Sequence, residues 1–379
     1  MGAARLNPAL RGFGCLRCEE VFPVDDYFEG CPACARQGHV ASLVATYDAA
    51  SDPFPRLPML DTPDLGQGGT PLLPLPDVAE ELGMEGVWLK AEGQNPTGSH
   101  KDRMSPLVVA RAQRTGASRV LAASSGNAGV SLAAFAAWAG LDCTILTRTG
   151  LGGTWSRDIV DHGAELLVLD TGPERWVRMA EMLAQGEGYP ATNYRTPPVG
   201  SNPWGVQGYK TLGYELAETL AETPPDVVLV PTARGDLLWG IWEGWCEASV
   251  ATASPEWRPK MVAVEPFRRA ASVLAGGDYR GTFPGTSAQS AIASTTVTWQ
   301  TLHTLRASGG LAIEVDDREV ADGQVEMARR GISLERCSAG PLVALHKLRA
   351  RGLLATGSRA VLVATSDGRR EDPLPSAES

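Results

Sequence analysis

The sequence predicts an α/β protein whose parallel sheets are covered on both faces, preceded by a small cysteine-bearing segment. Three observations predict it. From Glu80 onwards short apolar runs alternate with helical stretches to the end of the chain, the pattern of strand–helix units. Near the start, Cys15-x-x-Cys18 and Cys31-x-x-Cys34 are separated by twelve residues. Between one strand and its helix lies Asn95-Pro96-Thr97-Gly98-Ser99-His100-Lys101-Asp102-Arg103. Its Pro and Gly mark a turn whose backbone something approaches closely.

Taken in order, residues 1–45 read as a zinc-ribbon-like segment. Two such knuckles can set four thiolates around one Zn²⁺ at about 2.3 Å each, with Cys15, Cys18, Cys31 and Cys34 as ligands. The arm between them carries turn residues, and Val40 to Thr46 is expected to be a strand. Metal binding supplies the folding energy that so short a segment cannot draw from a core. A closed four-thiolate site keeps no open coordination position, so the expected role is structural. A Pro-rich crossing from Pro53 to Pro76 follows, read as an extended linker, and it contains Gly68-Gly69-Thr70-Pro71-Leu72. Strands are expected near 87–90, 119–123, 142–147, 164–169, 226–231, 260–265 and 359–365. Asp102 to Thr115 and Val130 to Trp138 are expected to be helices. The tail from Glu371 to Ser379 is expected to fray.

With 379 residues the chain can bury two domains and an appendage. A net charge of −10 with no basic block argues against a nucleic-acid partner. No apolar run approaches the roughly 20 residues of a membrane span, and the N-terminus lacks a secretory pattern, so a cytoplasmic protein is expected. The three other cysteines, Cys143, Cys246 and Cys337, are scattered and do not form a disulfide framework.

Lys101 carries the chemical reading. A lysine delivered by a turn to a helix start faces a local positive dipole, which favours the neutral amine. That form makes a Schiff base with an aldehyde cofactor. An isolated lysine is usually a solvated helix cap; the neighbours distinguish this one. The stretch resembles the pyridoxal-phosphate (PLP) lysine motif of the threonine synthase-like family of fold-type II enzymes, Asn-Pro-Thr-Gly-Ser-Phe-Lys-Asp-Arg, with His100 in the aromatic position. The resemblance implies the two-domain α/β fold of fold-type II PLP enzymes (tryptophan synthase β-like). A catalytic domain would span 46–379, with a smaller mobile subdomain at about 105–195 inserted in it. It further implies PLP on Lys101 and a small amino-acid substrate, and it is compatible with a homodimer.

Further motifs extend the resemblance. Ser124-Ser125-Gly126-Asn127-Ala128-Gly129 exposes amides at a strand-to-helix turn and resembles the family's Ser-Thr/Ser-Gly-Asn loop. That match implies Asn127 on the cofactor's 3-hydroxyl, with Ser99, Ser124, Ser125, Gly126 and Ala128 as substrate contacts. Thr232-Ala233-Arg234-Gly235-Asp236-Leu237 stands where the family has its glycine-rich phosphate loop. Here Ala233 replaces a usual glycine and Asp236 brings a negative charge. Either Arg234 offsets that charge or Asp236 turns away to cap the next helix. Thr365, with Ser366 as the alternative, stands where similar enzymes set a hydroxyl against the pyridine nitrogen. A neutral hydroxyl leaves the ring a milder electron sink, suited to elimination and replacement. The segment Ser333 to Gly340 resembles the family's Glu-x-x-Ser-Ala segment and reads equally well as a packed helix start.

The informative departure is Asn202-Pro203-Trp204-Gly205-Val206-Gln207-Gly208-Tyr209-Lys210-Thr211, which resembles the family's Asn-Pro-x-Arg-x-Glu-Gly-x-Lys-Thr. Gly205 holds the arginine position and Gln207 the glutamate position. Val199 replaces an asparagine six residues before the arginine. In threonine synthases that arginine and asparagine hold the phosphate of O-phosphohomoserine. Glycine offers nothing in place of arginine's rigid fork. A dismantled substrate-phosphate pocket is therefore expected, with Trp204 adding apolar bulk beside it. The activity implied is a PLP-dependent carbon–oxygen lyase or synthase acting by elimination or replacement at the β or γ carbon. Lys101 would form the Schiff base and then, as a freed amine, take the Cα proton. Threonine synthase proper, a serine/threonine dehydratase-type deaminase and a non-catalytic PLP-binding protein are the alternatives.

Overall fold

Apolar runs of five or six residues are long enough for a strand and too uniformly apolar for one exposed face, so they bury on both sides. Val227–Pro231 is buried at every position, and Arg359–Ala364 at all but its first. The computed structural model describes residues 4–48, 55–124, 126–251 and 257–371, and in it these runs form two sheets. The larger has six strands in the order Leu311–Glu314, Lys260–Glu265, Val227–Pro231, Arg359–Ala364, Gly86–Ala91 and Leu72–Pro74. Its first five strands are parallel. The smaller sheet, Glu165–Leu169, Asp142–Arg148, Arg119–Ala123 and Tyr189–Pro190, is parallel throughout. All seven expected strands form, each within a residue or two of its expected limits.

The differences have local causes. Leu72–Pro74 lies in the stretch read as linker, yet it pairs antiparallel with Gly86–Ala91 at the sheet edge, where a proline without an N–H is tolerated. Leu311–Glu314 and Tyr189–Pro190 are too short to leave a pattern. The helix expected from Asp102 opens as a 3-10 turn, His100–Arg103, and becomes α-helical only at Ser105–Arg114. Pro106 lies in the first turn of that helix, where its missing N–H costs nothing. In the N-terminal segment Leu10–Cys15 pairs antiparallel with Val21–Phe22 and with Leu43–Tyr47, a strand shifted a few residues from its expected place. Among the described residues no helix is long and apolar enough to cross a membrane.

One ionic knot fixes the Lys101 turn against the larger sheet. Arg103 is 3% exposed, and its guanidinium donates to Glu92 at 2.6 and 2.8 Å and to Glu215 at 2.6 and 2.9 Å. Lys90 Nζ donates to Glu215 at 2.6 Å and to the Thr70 carbonyl at 2.6 Å. Asp102, fully buried, accepts from the amide and hydroxyl of Thr97 at 2.6 and 2.5 Å and so closes the turn on itself. Burial alone would raise the Glu215 carboxyl; Arg103 and Lys90 instead hold it at about 2.

Two outcomes follow for stability. Arg103→Met strands the buried Glu92 carboxylate and leaves Glu215 to Lys90 alone, and urea unfolding should record a loss of about 3–5 kcal/mol. The depressed Glu215 value makes its stabilisation complete above the unfolded carboxylate pKa of about 4.3, and it is lost as pH falls toward about 2. Acid titration of Glu215→Gln should therefore lack that part of the wild-type slope.

Candidate active site

Parallel sheets leave their ligand sites outside the carboxyl ends of the strands. Four such connectors meet here, following Gly86–Ala91, Arg119–Ala123, Val227–Pro231 and Arg359–Ala364. The first carries Lys101. Ser99 is fully buried, bridges to Ser366, and accepts from the Lys101 amide at 3.4 Å. The His100 amide donates to the Thr365 carbonyl at 2.9 Å, and the His100 ring nitrogen Nδ1 lies 3.1 Å from the same oxygen. Lys101 Nζ donates to the Tyr209 hydroxyl at 3.2 Å. Burial is the main force lowering the Lys101 ammonium; Asp236 opposes it, Arg234 adds to it, and Glu335 opposes it.

The second connector opens the helix Asn127–Ala139. Asn127 Nδ2 donates to Glu335 at 2.7 Å and to the Ser366 hydroxyl at 3.2 Å, and its Oδ1 accepts from the Trp155 indole at 2.9 Å. Ser124 turns its hydroxyl onto the Gly126 and Gly129 amides at 3.3 and 2.9 Å, so it caps the helix. Gly126 and Ala128 flank Asn127 at this helix start. Ser125 lies outside the described residues.

The third connector is the loop Thr232 to Leu237. Its first three carbonyls point away from the helix that follows: Arg269 donates to Thr232 O at 2.7 Å and to Ala233 O at 3.3 Å, and Thr298 and Gln300 donate to Arg234 O at 2.5 and 2.8 Å. The first-turn amides of Asp236–Ala251 have no carbonyl one turn before them and are left for a ligand. Thr232 spends its hydroxyl on Val230 O at 2.7 Å, and the Leu237 side chain is in the core. Asp236 neither faces the loop nor caps its own helix. Its carboxylate accepts from the Ser201 amide at 3.1 Å, from the Ser201 hydroxyl at 3.0 Å, and from Gln300. Arg234 stands over the Trp176 ring, 5.3 Å from its centroid, with Nε buried and unpartnered. Among the described residues its guanidinium has no carboxylate partner. Gly235 is the one glycine this loop cannot lose. Its φ is +76°, and a Cβ there would lie 2.3 Å from Thr301 Oγ1.

The fourth connector brings Thr365 and Ser366. Thr365 Oγ1 lies 3.0 Å from the Ser338 hydroxyl, and Ser366 Oγ donates to Glu335. Burial raises the Glu335 carboxyl, opposed by Ser366 and Asn127. The Ser333 to Gly340 segment is thus part of the site through Glu335 and Ser338, although it reads equally as a plain helix start. Tyr209, Trp155, Ser201 and Gln300 carry no signal in the sequence beyond their polarity; only the chain's long-range contacts bring them here. A surface groove lined by Glu29, Trp176, Val177, Tyr194 and Arg195 contains none of the residues expected to act.

Trp204 differs from expectation. It is fully buried and faces the N-terminal segment, 4.9 Å from the Phe13 ring and beneath Arg111 at 4.2 Å. It adds no bulk to a substrate pocket. Gly205 is enclosed: a Cβ there would meet Val108 Cγ2 at 2.5 Å and Met104 Cγ at 2.8 Å. Val199 is buried, its amide donating to Asn193 Oδ1 at 3.2 Å. The four cysteines converge, with Sγ atoms all within 4.8 Å of one another. Cys15 and Cys34 are 3.6 Å apart, and Cys18 and Cys31 are 3.7 Å apart.

Comparison with known proteins gives the family and the fold. Residues 63–366 match the family described as pyridoxal-phosphate dependent enzyme. The chain is similar to a threonine synthase of Methanocaldococcus jannaschii, 28% identical over 94% of this chain and 92% of the relative. A threonine synthase of Mycobacterium leprae is 31% identical over 83% of this chain and 86% of the relative. Among solved structures, the processed form of threonine deaminase isoform 2 from Solanum lycopersicum has the same fold. It superposes with a TM-score of 0.67 at 17% identity, over 79% of this chain and 83% of that one.

Gly235→Ala should cost about 1–3 kcal/mol in thermal unfolding, because the new methyl is both strained and obstructed. A change under a few tenths of a kcal/mol would contradict the loop geometry.

Proposed function

Since this chain belongs to the pyridoxal-phosphate dependent enzyme family, we propose that it is a lyase or synthase working by elimination or replacement at the β or γ carbon of a small amino acid, with PLP held at Lys101. The observation that carries the reading is the placement of Lys101 at the carboxyl edge of the larger sheet, on a turn anchored by Arg103, with Nζ 3.2 Å from the Tyr209 hydroxyl; burial lowers the pKa of its ammonium. The donor set suits the cofactor. Amides at the start of Asp236–Ala251 and the unpartnered Arg234 suit a phosphate, with the loop Thr232, Ala233, Arg234, Gly235, Asp236 and Leu237 around it. Asn127 suits a ring hydroxyl. Between the two hydroxyls, Thr365 is the candidate for the ring nitrogen, and Ser366 stays the alternative because it already serves Glu335 and Asn127.

Bound there, PLP supplies an electrophilic carbon for an amine and a sink for electrons. The chain's own part is positional and acid–base. Lys101 offers a neutral amine at a higher fraction than a solvated lysine would, and Nζ is the atom that takes and returns the substrate's Cα proton. Tyr209 holds Nζ at 3.2 Å. The amides of Asn127 and Ala128, which open the helix Asn127–Ala139 and are not taken by Ser124, suit a substrate carboxylate. We further propose that residues of about 105–195, which include the smaller sheet, move as a lid over the larger sheet.

The segment at 199–205 supports a substrate whose distal group is not held as in threonine synthases, since no side chain fits at Gly205 without displacing Val108 and Met104. The second reading is threonine synthase itself, favoured by the names of the relatives, with Arg234 supplying the cation.

The four thiols suit structural Zn²⁺. Tetrahedral sites with bonds of about 2.3 Å have sulfur–sulfur edges of about 3.8 Å, against 3.6 and 3.7 Å here.

Three measurements test these readings. Purified protein should be yellow, and Lys101→Ala should lose that absorbance and trap no covalent PLP on borohydride treatment; trapped PLP in the variant would show that another lysine holds it. Metal analysis should find about one zinc per chain. Turnover of O-phosphohomoserine should be weak, since two lost charge-assisted hydrogen bonds, each about 1.5–3 kcal/mol, amount to roughly a hundredfold or more in affinity. Rapid phosphate and threonine release at micromolar substrate would restore threonine synthase.

A further inference from the structure

Two hydrogen-bonded routes run from the cysteine knuckles to Asp236, at the end of the 232–237 loop. Leu16 lies between Cys15 and Cys18, and its carbonyl accepts from the Trp299 indole at 2.9 Å. The next residue, Gln300, is 1% exposed and donates to Arg234 O at 2.8 Å and to the Asp236 carboxylate. The second route starts at Ser42, just beyond the other knuckle. Its hydroxyl donates to Val199 O at 2.8 Å. Two residues on, Ser201 donates its amide and its hydroxyl to the same Asp236 carboxylate at 3.1 and 3.0 Å. The knuckles are tied to each other where the routes begin, since the Leu16 amide donates to Ser42 O at 3.1 Å. The hydrophobic side is continuous as well: Cys15, Cys31 and Cys34 share one buried cluster with Leu107, Ala110 and Trp204 of the body.

We infer that the four-cysteine ribbon is a positioning device for the 232–237 loop, so that metal in the ribbon sets how tightly the chain holds the phosphate of its cofactor. The inference rests on the proposal that this loop takes that phosphate. Its physical basis is the direction of the bonds. Gln300 and Ser201 grip the Asp236 carboxylate and Arg234 O, which keeps one negative side chain and one carbonyl turned away from the loop's amides. Released, Asp236 can swing toward those amides as a cap and compete with the phosphate for them. The ribbon has only three short strands, and four crowded thiols would hold it poorly without a metal. Trp299, Gln300, Ser42 and Ser201 act through Asp236 and are positioning residues.

The test compares binding of PLP and of pyridoxal, which lacks the phosphate, to full-length PLP-depleted protein. Wild type with zinc, wild type stripped by chelator and then reloaded, Trp299→Phe and Ser42→Ala are measured. Trp299→Phe keeps an aromatic ring at this position and removes the indole donor. PLP binding should weaken about fivefold in each variant, the size of one lost neutral hydrogen bond. It should weaken more on zinc removal and recover on reloading, while pyridoxal binding stays within about twofold. PLP binding unchanged in both variants and in stripped protein overturns the inference, as does an equal loss for PLP and pyridoxal, which marks general loosening. Failure of zinc-loaded wild type to take up PLP overturns the functional reading and this inference together; uptake indifferent to metal and to both variants overturns this inference alone.

Discussion

Arg103 is the interaction on which the arrangement depends. Its guanidinium and the carboxylates of Glu92 and Glu215 have left water almost entirely, with side chains 1%, 0% and 23% exposed. Desolvating three ions is costly, and a buried pair is weak evidence of stability in itself. What it secures is place. Glu92 immediately follows the strand Gly86–Ala91, Glu215 lies on the helix Lys210–Thr219, and Arg103 ends the turn that carries Lys101. A strand end, the turn eleven residues after it and a helix 112 residues further on are joined within two residues of Lys101. With Asp102 bonded to Thr97, the turn has little freedom to present Lys101 anywhere else.

Given that anchor, the rest of the site follows from parallel-sheet geometry. Each connector leaves a carboxyl edge, so Lys101, Asn127, Arg234 and Ser366 reach one region from four places in the chain. The polar groups then partner one another between connectors. Asn127 bonds both Glu335 and Ser366, which links the smaller sheet's first connector to the larger sheet's last. The depressed Lys101 ammonium is the electrical counterpart of this enclosure: burial disfavours its charge, and the carboxylates of Asp236 and Glu335 only partly restore it.

Much of this was legible in the sequence, for identifiable reasons. Doubly buried strands are uniform apolar runs, so 227–231, 260–265 and 359–364 stand out, whereas Leu311–Glu314, half-exposed and four residues long, does not. The Lys101 turn is legible because its chemistry needs neighbouring residues in a fixed order. Tyr209 is not, because its part depends on which distant segment it meets, and Glu335 is legible only in part, within a segment that reads equally well as a plain helix start. Asp236 shows the limit well. A negative residue at a phosphate loop leaves two readings, offset by Arg234 or capping of its helix, and the chain uses a third: Ser201 and Gln300, 35 residues before and 64 after.

Trp204 and Gly205 belong to one packing solution. Trp204 enters the ribbon's core against Phe13, with Arg111 of the helix Ser105–Arg114 over its face. Arg111 is itself held by Asp26 of the ribbon at 3.0 and 3.2 Å. Seating the indole there brings the next residue against Met104 and Val108 at the start of that helix, where only a hydrogen side chain fits. This packing by itself excludes a longer side chain at 205. A change restoring arginine at 205 alone would have to displace Val108 or unseat Trp204. The segment 199–205 thus packs against the N-terminal segment through Trp204, and Ser201 within it bonds Asp236 at the end of the 232–237 loop.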